Sequence, residues 1–140
     1  MTVLLDSDTL SELSRGHPCV TAHAKRYLAQ HGRLTVSVIT IFERLRGYHA
    51  AIAMGRPYEP QLNHFRTLAA SSVVLAVDFG VSEVAAEIWA ALPAKRRSAI
   101  GDILIAATAV ANKLTLATRN QRDFAAMQDT VDLRLVDWIR

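Results

Sequence analysis

Short apolar runs alternate with longer segments of helical spacing, and this alternation limits the chain to few folds. Four such runs lie at residues 3–5, 34–36, 73–77 and 114–117, and a fifth, at 133–135, is predicted to be an edge strand. Strands separated by helices pair in parallel, and helices cover both faces of their sheet. We therefore predict an α/β fold of three layers, in which a small parallel sheet is flanked by helices.

The segments between these runs carry helix signals. Helices are predicted at residues 10–15, 18–29, 38–54, 58–70, 81–92 and 101–111. Asp8 and Thr9 are suited to cap the first helix and Ser37 the third, because short polar side chains accept hydrogen bonds from helix-start amides. The run at 73–77 is typical of a strand covered on both faces. Polar loops are predicted at residues 93–98 and 118–123.

Length and composition narrow the class of protein further. The chain has 140 residues, of which 51% are hydrophobic, so we expect residues 1–140 to form a single domain. The longest apolar stretch is nine residues, at 103–111, whereas about 18 are needed to cross a bilayer. No basic segment precedes the first apolar run, unlike a secretory signal. These features predict a soluble cytoplasmic protein that does not contact a membrane.

Acidic residues follow the strands or begin the helices that connect them. Asp6 ends the first strand, Glu43 lies on the helix after the second, and Asp102 opens the apolar helix before the fourth. Loops and helix starts converge at the carboxyl ends of parallel strands, which is where ligands bind. Carboxylates gathered there repel one another unless a hard cation such as Mg²⁺ or Mn²⁺ neutralises them. The pattern therefore predicts a metal site.

Each acid also has a purely structural interpretation. Asp6 can end a strand and cap a helix, and Asp102 can cap the apolar helix. Glu43 can form an exposed ion pair with Arg46, one helical turn later. Gly47 costs about 1 kcal/mol of helix propensity relative to alanine, which suggests that something approaches that face closely.

Four segments carry a resemblance to a known family. They read LLDSDTLSEL at 4–13, SVITIFERLRG at 37–47, GDILIAATA at 101–109 and LATRNQRDF at 116–124. In this order they resemble the signature segments of PIN-domain proteins, specifically the VapC/FitB-type toxins of bacterial toxin–antitoxin pairs. The resemblance implies a PIN-like fold and a Mg²⁺- or Mn²⁺-dependent endoribonuclease. It also implies a homodimer that is inhibited by a cognate, VapB-like antitoxin.

Site residues follow from the same resemblance. Asp6, Glu43 and Asp102 match the acidic metal-site residues of the family. The fourth position falls on either Asp123 or Asn120, and Asp123 is the candidate because Asn120 is neutral. Residues implied to support the site are Asp8, Thr118 and Asn120. Apolar positions that can contact the second copy or the antitoxin, or equally belong to the core, are Tyr27, Phe42, Tyr48 and Trp89.

The residue types also indicate the chemistry. No Ser-His or Cys-His arrangement is legible, so water activated by the metal is the expected nucleophile for hydrolysis of an RNA phosphodiester. One ion or two are equally compatible with the sequence. Basic residues expected near the acids, where they would contact RNA phosphates, are Lys95, Arg96, Arg97 and Arg119. The three in the loop at 93–98 can alternatively be a solvated basic turn.

Two other functions fit parts of the pattern. Asp6-Ser7-Asp8 after an apolar strand is similar to the start of haloacid-dehalogenase phosphatases, in which the first aspartate is the nucleophile. Leu10 and Ala106 depart from that family's motifs, and the phosphatase reading leaves Glu43 unexplained. Alternatively, the chain is a catalytically silent module that acts only by binding its antitoxin.

Overall fold

A parallel β-sheet forms the centre of the molecule, whose computed structural model describes residues 1–97 and 99–140. Its strands are β1 (Val3–Leu5), β2 (Thr35–Ser37), β3 (Val73–Leu75), β4 (Thr115–Ala117) and β5 (Leu135–Val136). They lie in the order β3-β2-β1-β4-β5, and every pairing is parallel. The predicted α/β fold with a small parallel sheet is confirmed. Because β1 is central, the residue that follows it lies between the ends of β2 and β4.

Helices connect the strands. They are α1 (Ser7–Ser14), α2 (Pro18–His31), α3 (Val38–Ala53), α4 (Glu59–Ala70), α5 (Phe79–Ala91), α6 (Ile100–Ala111) and α7 (Gln121–Ala125), with a 3-10 turn at Ala94–Arg96. None of the helices described is both long and apolar enough to cross a membrane.

Alternate residues of β1 supply two separate cores. Leu4 packs with α5 and α6 on one face of the sheet, whereas Val3 and Leu5 pack with α1 and α2 on the other. Successive side chains of a strand point to opposite faces, so three apolar residues in a row are buried only where both faces are covered. The result is the predicted helix–sheet–helix arrangement.

The first helix begins earlier than the sequence predicts. Asp6, not Asp8 or Thr9, caps α1, and its Oδ1 accepts a hydrogen bond of 2.8 Å from the amide of Thr9. The prediction of Asp8 or Thr9 as the cap is wrong because the chain turns directly after β1. Ser37 caps α3 as predicted, through a 3.0 Å hydrogen bond from the amide of Ile39.

Two other segments differ from their predictions. The run at 73–77 is not buried on both faces: β3 ends at Leu75, lies at the edge of the sheet and leaves Val74 40% exposed. The segment at 118–123 is not wholly a loop, because α7 begins at Gln121. Residues 93–97 of the predicted basic loop contain the 3-10 turn, and Ser98 lies outside the described residues.

Candidate functional site

Asp6 lies at the carboxyl end of the central strand and is almost completely buried, with 5% exposure. Burial raises the pKa of its carboxyl group, while hydrogen bonds from Thr118 and Thr9 partly offset that effect. Thr118 directly follows the neighbouring strand β4, and its Oγ1 also accepts a 2.9 Å hydrogen bond from the amide of Asn120. Asp6 therefore caps α1 and contacts the residue that follows β4, the neighbouring strand.

Glu43 reaches the same edge from α3. Its Oε1 accepts a 2.6 Å hydrogen bond from the hydroxyl of Ser7, and its Oε2 lies 3.0 Å from where a Cβ on Gly101 would stand. The alternative of an ion pair with Arg46 is wrong: that guanidinium lies over the ring of Phe42, 5.4 Å from its centroid. Glu43 is thus placed between the starts of α1 and α6.

Asp102 lies in the first turn of α6, whose N-cap is Ala99, so the interpretation of Asp102 as the helix cap is wrong. Its pKa is raised to about 6, first by burial and then by repulsion from Glu43 and Asp6. Smaller repulsive contributions come from Asp123 and Asp8. The fold therefore brings acids from three other parts of the chain within electrostatic reach of the Asp102 carboxylate.

The two candidates for the fourth position contact each other. Nδ2 of Asn120 donates a 2.8 Å hydrogen bond to Oδ2 of Asp123. Asp123 and Asp102 line one pocket of about 210 Å³, next to Lys95 and Arg96. Asp123 therefore shares a pocket with Asp102, and Asn120 contacts Asp123.

The basic residues divide into three groups. Lys95 and Arg96 lie beside the acids in that pocket, as predicted. Arg97 faces the end of α5, where its Nε donates to the carbonyl oxygens of Trp89 (3.0 Å) and Leu92 (3.1 Å). This guanidinium satisfies helix-end carbonyl groups, so the prediction that it contacts phosphate does not fit its placement.

Arg119 is the third group. It pairs with Oε1 of Glu12 at 3.5 Å and with Oδ2 of Asp8 at 4.0 Å. Both acids are on α1, so Arg119 offsets negative charge on the helix that follows Asp6.

A close approach to glycine occurs at a different residue from the one predicted. Nothing lies within 4 Å of a Cβ built on Gly47, whereas one built on Gly101 meets Glu43. Sequence reasoning missed Ser7 and Gly101 as contributors to the site. Their only signals were adjacency to Asp6 and to Asp102.

The acids suit a hard metal ion by their chemistry rather than by their present spacing. In the described part of the chain, no three His, Cys, Asp or Glu side chains are arranged to hold a metal ion. Asp6, Glu43 and Asp123 each accept a hydrogen bond from a neighbouring neutral donor instead. A set made entirely of carboxylate oxygens is the kind that Mg²⁺ and Mn²⁺ prefer, and a cation would relieve the repulsion at Asp102.

Carboxylates at the end of a parallel sheet, between two helical layers, define an α/β domain with an acidic site at its strand ends. The profile of the PIN domain family matches residues 3–129, and the chain therefore belongs to the PIN domain family. This membership replaces the haloacid-dehalogenase interpretation. No curated protein sequence gives a significant match.

Several solved structures share this fold. VapBC-1 from nontypeable Haemophilus influenzae is 23% identical, with a TM-score of 0.77 over 100% of both chains. The DNA-bound VapBC from Salmonella typhimurium is 22% identical, with a TM-score of 0.76 over 99% of this chain and 98% of that one. FitAcB from Neisseria gonorrhoeae is 25% identical, with a TM-score of 0.66 over 97% of each chain.

Proposed function

We propose that the protein is the toxin of a toxin–antitoxin pair and a metal-dependent endoribonuclease. The observation that carries this proposal is that the fold gathers acids from three other parts of the chain around Asp102, whose pKa is raised to about 6 first by burial and then by their repulsion. PIN domains are generally nucleases, and the similar structures named above are VapBC and FitAB-type complexes. Acids held together against their mutual repulsion are typical of a functional site rather than of a surface.

Asp6, Glu43 and Asp102 would hold Mg²⁺ or Mn²⁺, with Asp123 as the fourth acid. The bound ion would supply an activated water nucleophile and offset negative charge on the phosphodiester. Asp6 is positioned for this role by the sheet, because it follows the strand between β2 and β4. Residues that support the acids are Ser7, Asp8, Thr118 and Asn120.

The chain's own basic residues would bind and orient the RNA. Lys95 and Arg96 lie in the pocket with Asp102 and Asp123, so a phosphate bound there would be held beside the acids. Arg119 would contact the RNA strand on the side of the site next to α1. Arg97 is left out of this set because its guanidinium is engaged with the end of α5.

The proposal includes partners and location. The antitoxin would be a VapB-like protein. The toxin would be a homodimer in which residues 1–140 of each copy form a single domain. Both would be located in the cytoplasm. Phe42 and Trp89 are 58% and 43% exposed and remain available for such contacts. Tyr27 does not, because it is 7% exposed and its hydroxyl accepts a hydrogen bond from the amide of Val3.

The test is cleavage of labelled RNA by the wild-type protein and by Asp6→Asn, with Mg²⁺, with Mn²⁺ and with EDTA. The asparagine keeps an oxygen that can cap α1 but loses the charge, so we expect folded protein without cleavage. Asp129→Asn is the matched control and should cleave normally, because Asp129 is exposed and does not line the pocket of Asp102 and Asp123. Cleavage by Asp6→Asn, or by the wild type in EDTA, would refute the enzymatic mechanism. Antitoxin binding without any cleavage by the wild type would favour the silent module.

A further inference from the structure

Arg44 is half-buried and positively charged. It takes part in none of the ion pairs among the described residues. Its Nη1 donates a 2.6 Å hydrogen bond to Oγ of Ser11, and its Nη2 donates to the hydroxyl of Tyr48 at 2.6 Å and to Oγ of Ser14 at 3.4 Å. Its Nε is buried and has no hydrogen-bond partner. The guanidinium also lies over the rings of Tyr48 and Phe65, 5.2 and 5.5 Å from their centroids. These partners are all uncharged, and a partly desolvated charge without a counter-ion favours the binding of an anion.

The guanidinium opens onto a pocket of about 410 Å³ between α1, α3 and the segment after α3. Arg56 and two tyrosines, Tyr48 and Tyr58, also line this pocket. Glu43 is the single acid in the lining, so the two arginines outnumber it. Arginine with aromatic faces is the combination by which proteins bind the backbone and bases of single-stranded nucleic acid.

Glu43 connects this pocket to the acidic site. It lines the pocket, and its Oε2 lies 3.0 Å from where a Cβ on Gly101, at the start of α6, would stand. The same carboxylate repels that of Asp102. An RNA strand that runs from the acids past Glu43 would enter this pocket.

Gly47 has open space beside it in this pocket. It lies within α3, lines the pocket, and a Cβ built on it meets nothing within 4 Å. A long side chain placed at this position would therefore enter the space that the ligand is proposed to occupy.

We propose that this pocket is an RNA subsite, in which Arg44 and Arg56 bind a phosphate adjacent to the scissile one and Tyr58 stacks on a base. The inference rests on the proposed ribonuclease function. This subsite is separate from the pocket of Lys95 and Arg96, which is lined by Asp102 and Asp123.

The test measures binding of fluorescein-labelled, mixed-sequence single-stranded RNA 12-mers to Asp6→Asn protein in Mg²⁺, so that cleavage does not interfere. Arg56→Gln and Gly47→Gln, added to this background, are expected to weaken binding on the order of tenfold. Arg56→Gln should also reduce the salt slope by about 0.7, the value for one lost phosphate contact on a single strand. Arg66→Gln is the matched control and should bind like the parent, because Arg66 is an exposed arginine on α4 that hydrogen-bonds to Asn63 and does not line the pocket.

Arg44→Gln is a further variant, but Arg44 joins α1 to α3 and its loss can unfold the protein. Arg56→Gln and Gly47→Gln avoid this problem because both residues are exposed. Unchanged RNA affinity and salt slope in both variants would overturn the subsite. So would unchanged RNA binding together with Arg56-dependent binding of a labelled Asp/Glu decapeptide, which would assign the pocket to a protein carboxylate. Metal-dependent cleavage by the wild type, measured in parallel, shows whether the ribonuclease proposal itself stands.

Discussion

The hydroxyl of Ser7 donates a 2.6 Å hydrogen bond to Oε1 of Glu43 and so ties the first residue of α1 to the middle of α3. The same hydroxyl lies 3.4 Å from Oγ1 of Thr40, one turn earlier on α3. Because Asp6 directly precedes Ser7, the contact also fixes the separation of two of the proposed metal ligands.

Replacing Ser7 by alanine should impair the site without unfolding the protein. Residues that orient metal ligands typically contribute 10- to 100-fold to metal affinity or activity, so we expect the Mn²⁺ concentration needed for cleavage to rise by about that factor. Ser7→Thr retains the hydroxyl and should restore most of the activity. Equal Mn²⁺ dependence of the wild type and Ser7→Ala would show that Ser7 does not position Glu43.

Gly101→Ala should separate stability from function. Alanine favours the helix by up to about 1 kcal/mol, but its Cβ would meet Oε2 of Glu43 at 3.0 Å and displace that carboxylate. We expect a thermal midpoint in EDTA at or above that of the wild type, with a smaller upward shift on adding Mn²⁺. Gly80→Ala on α5, whose Cβ would meet its nearest atom at 3.6 Å, is the control and should keep the full shift. A full Mn²⁺ shift in Gly101→Ala would contradict the proposed role of Glu43.

The metal-free protein should lose stability as the pH rises. The pKa of Asp102 is about 6 in the folded protein, whereas the ordinary pKa of an aspartate is 3.8. Folding therefore favours the protonated form of this carboxyl group. Stability from this group is fully present below about pH 4 and is lost as the pH rises through about 6, by at most about 3 kcal/mol before solvent screening reduces it.

Urea unfolding in EDTA at pH 5, 6 and 7.5 measures this dependence. Asp102→Asn should flatten it and stabilise the metal-free protein at pH 7.5, and saturating Mg²⁺ should reverse the loss in the wild type. Parallel pH profiles for the wild type and Asp102→Asn would rule out Asp102 as the source.

Asp123→Asn tests the fourth acid. If Asp123 contributes to metal binding, cleavage at limiting Mn²⁺ should fall at least about tenfold and recover in part at excess Mn²⁺. Asn120→Ala removes the 2.8 Å hydrogen bond to Asp123 and should have a smaller effect of the same kind. Normal activity of Asp123→Asn at every Mn²⁺ concentration would assign Asp123 to the surface of α7 alone.

The fold was largely predictable because the local signals agree with the tertiary structure. Val3, Leu4 and Leu5 predict a strand, and β1 is that strand, covered on both faces of the sheet. The run at 73–77 has the same composition but lies at the sheet edge. Strand order is set by packing between distant segments, which an apolar run does not encode.

The site was predictable in its acids but not in their neighbours. Asp6, Glu43 and Asp102 follow from motif and position, and the structure places them within electrostatic reach. The Ser7–Glu43 hydrogen bond depends on how α1 packs against α3, which no local pattern reports. The same holds for Arg97, whose charge predicts phosphate binding but whose guanidinium is engaged with the end of α5.

The position of β1 in the middle of the sheet has a consequence for biosynthesis. The ribosome makes β1 first, yet its partner β4 emerges more than a hundred residues later. At 5–20 residues per second, the N-terminal strand waits roughly 5 to 20 s for that partner. Asp123 follows β4 in the chain, so a nascent chain released early by a truncated message would lack part of the acidic site. Translation thus delays completion of the acidic site until nearly the whole polypeptide has been synthesised.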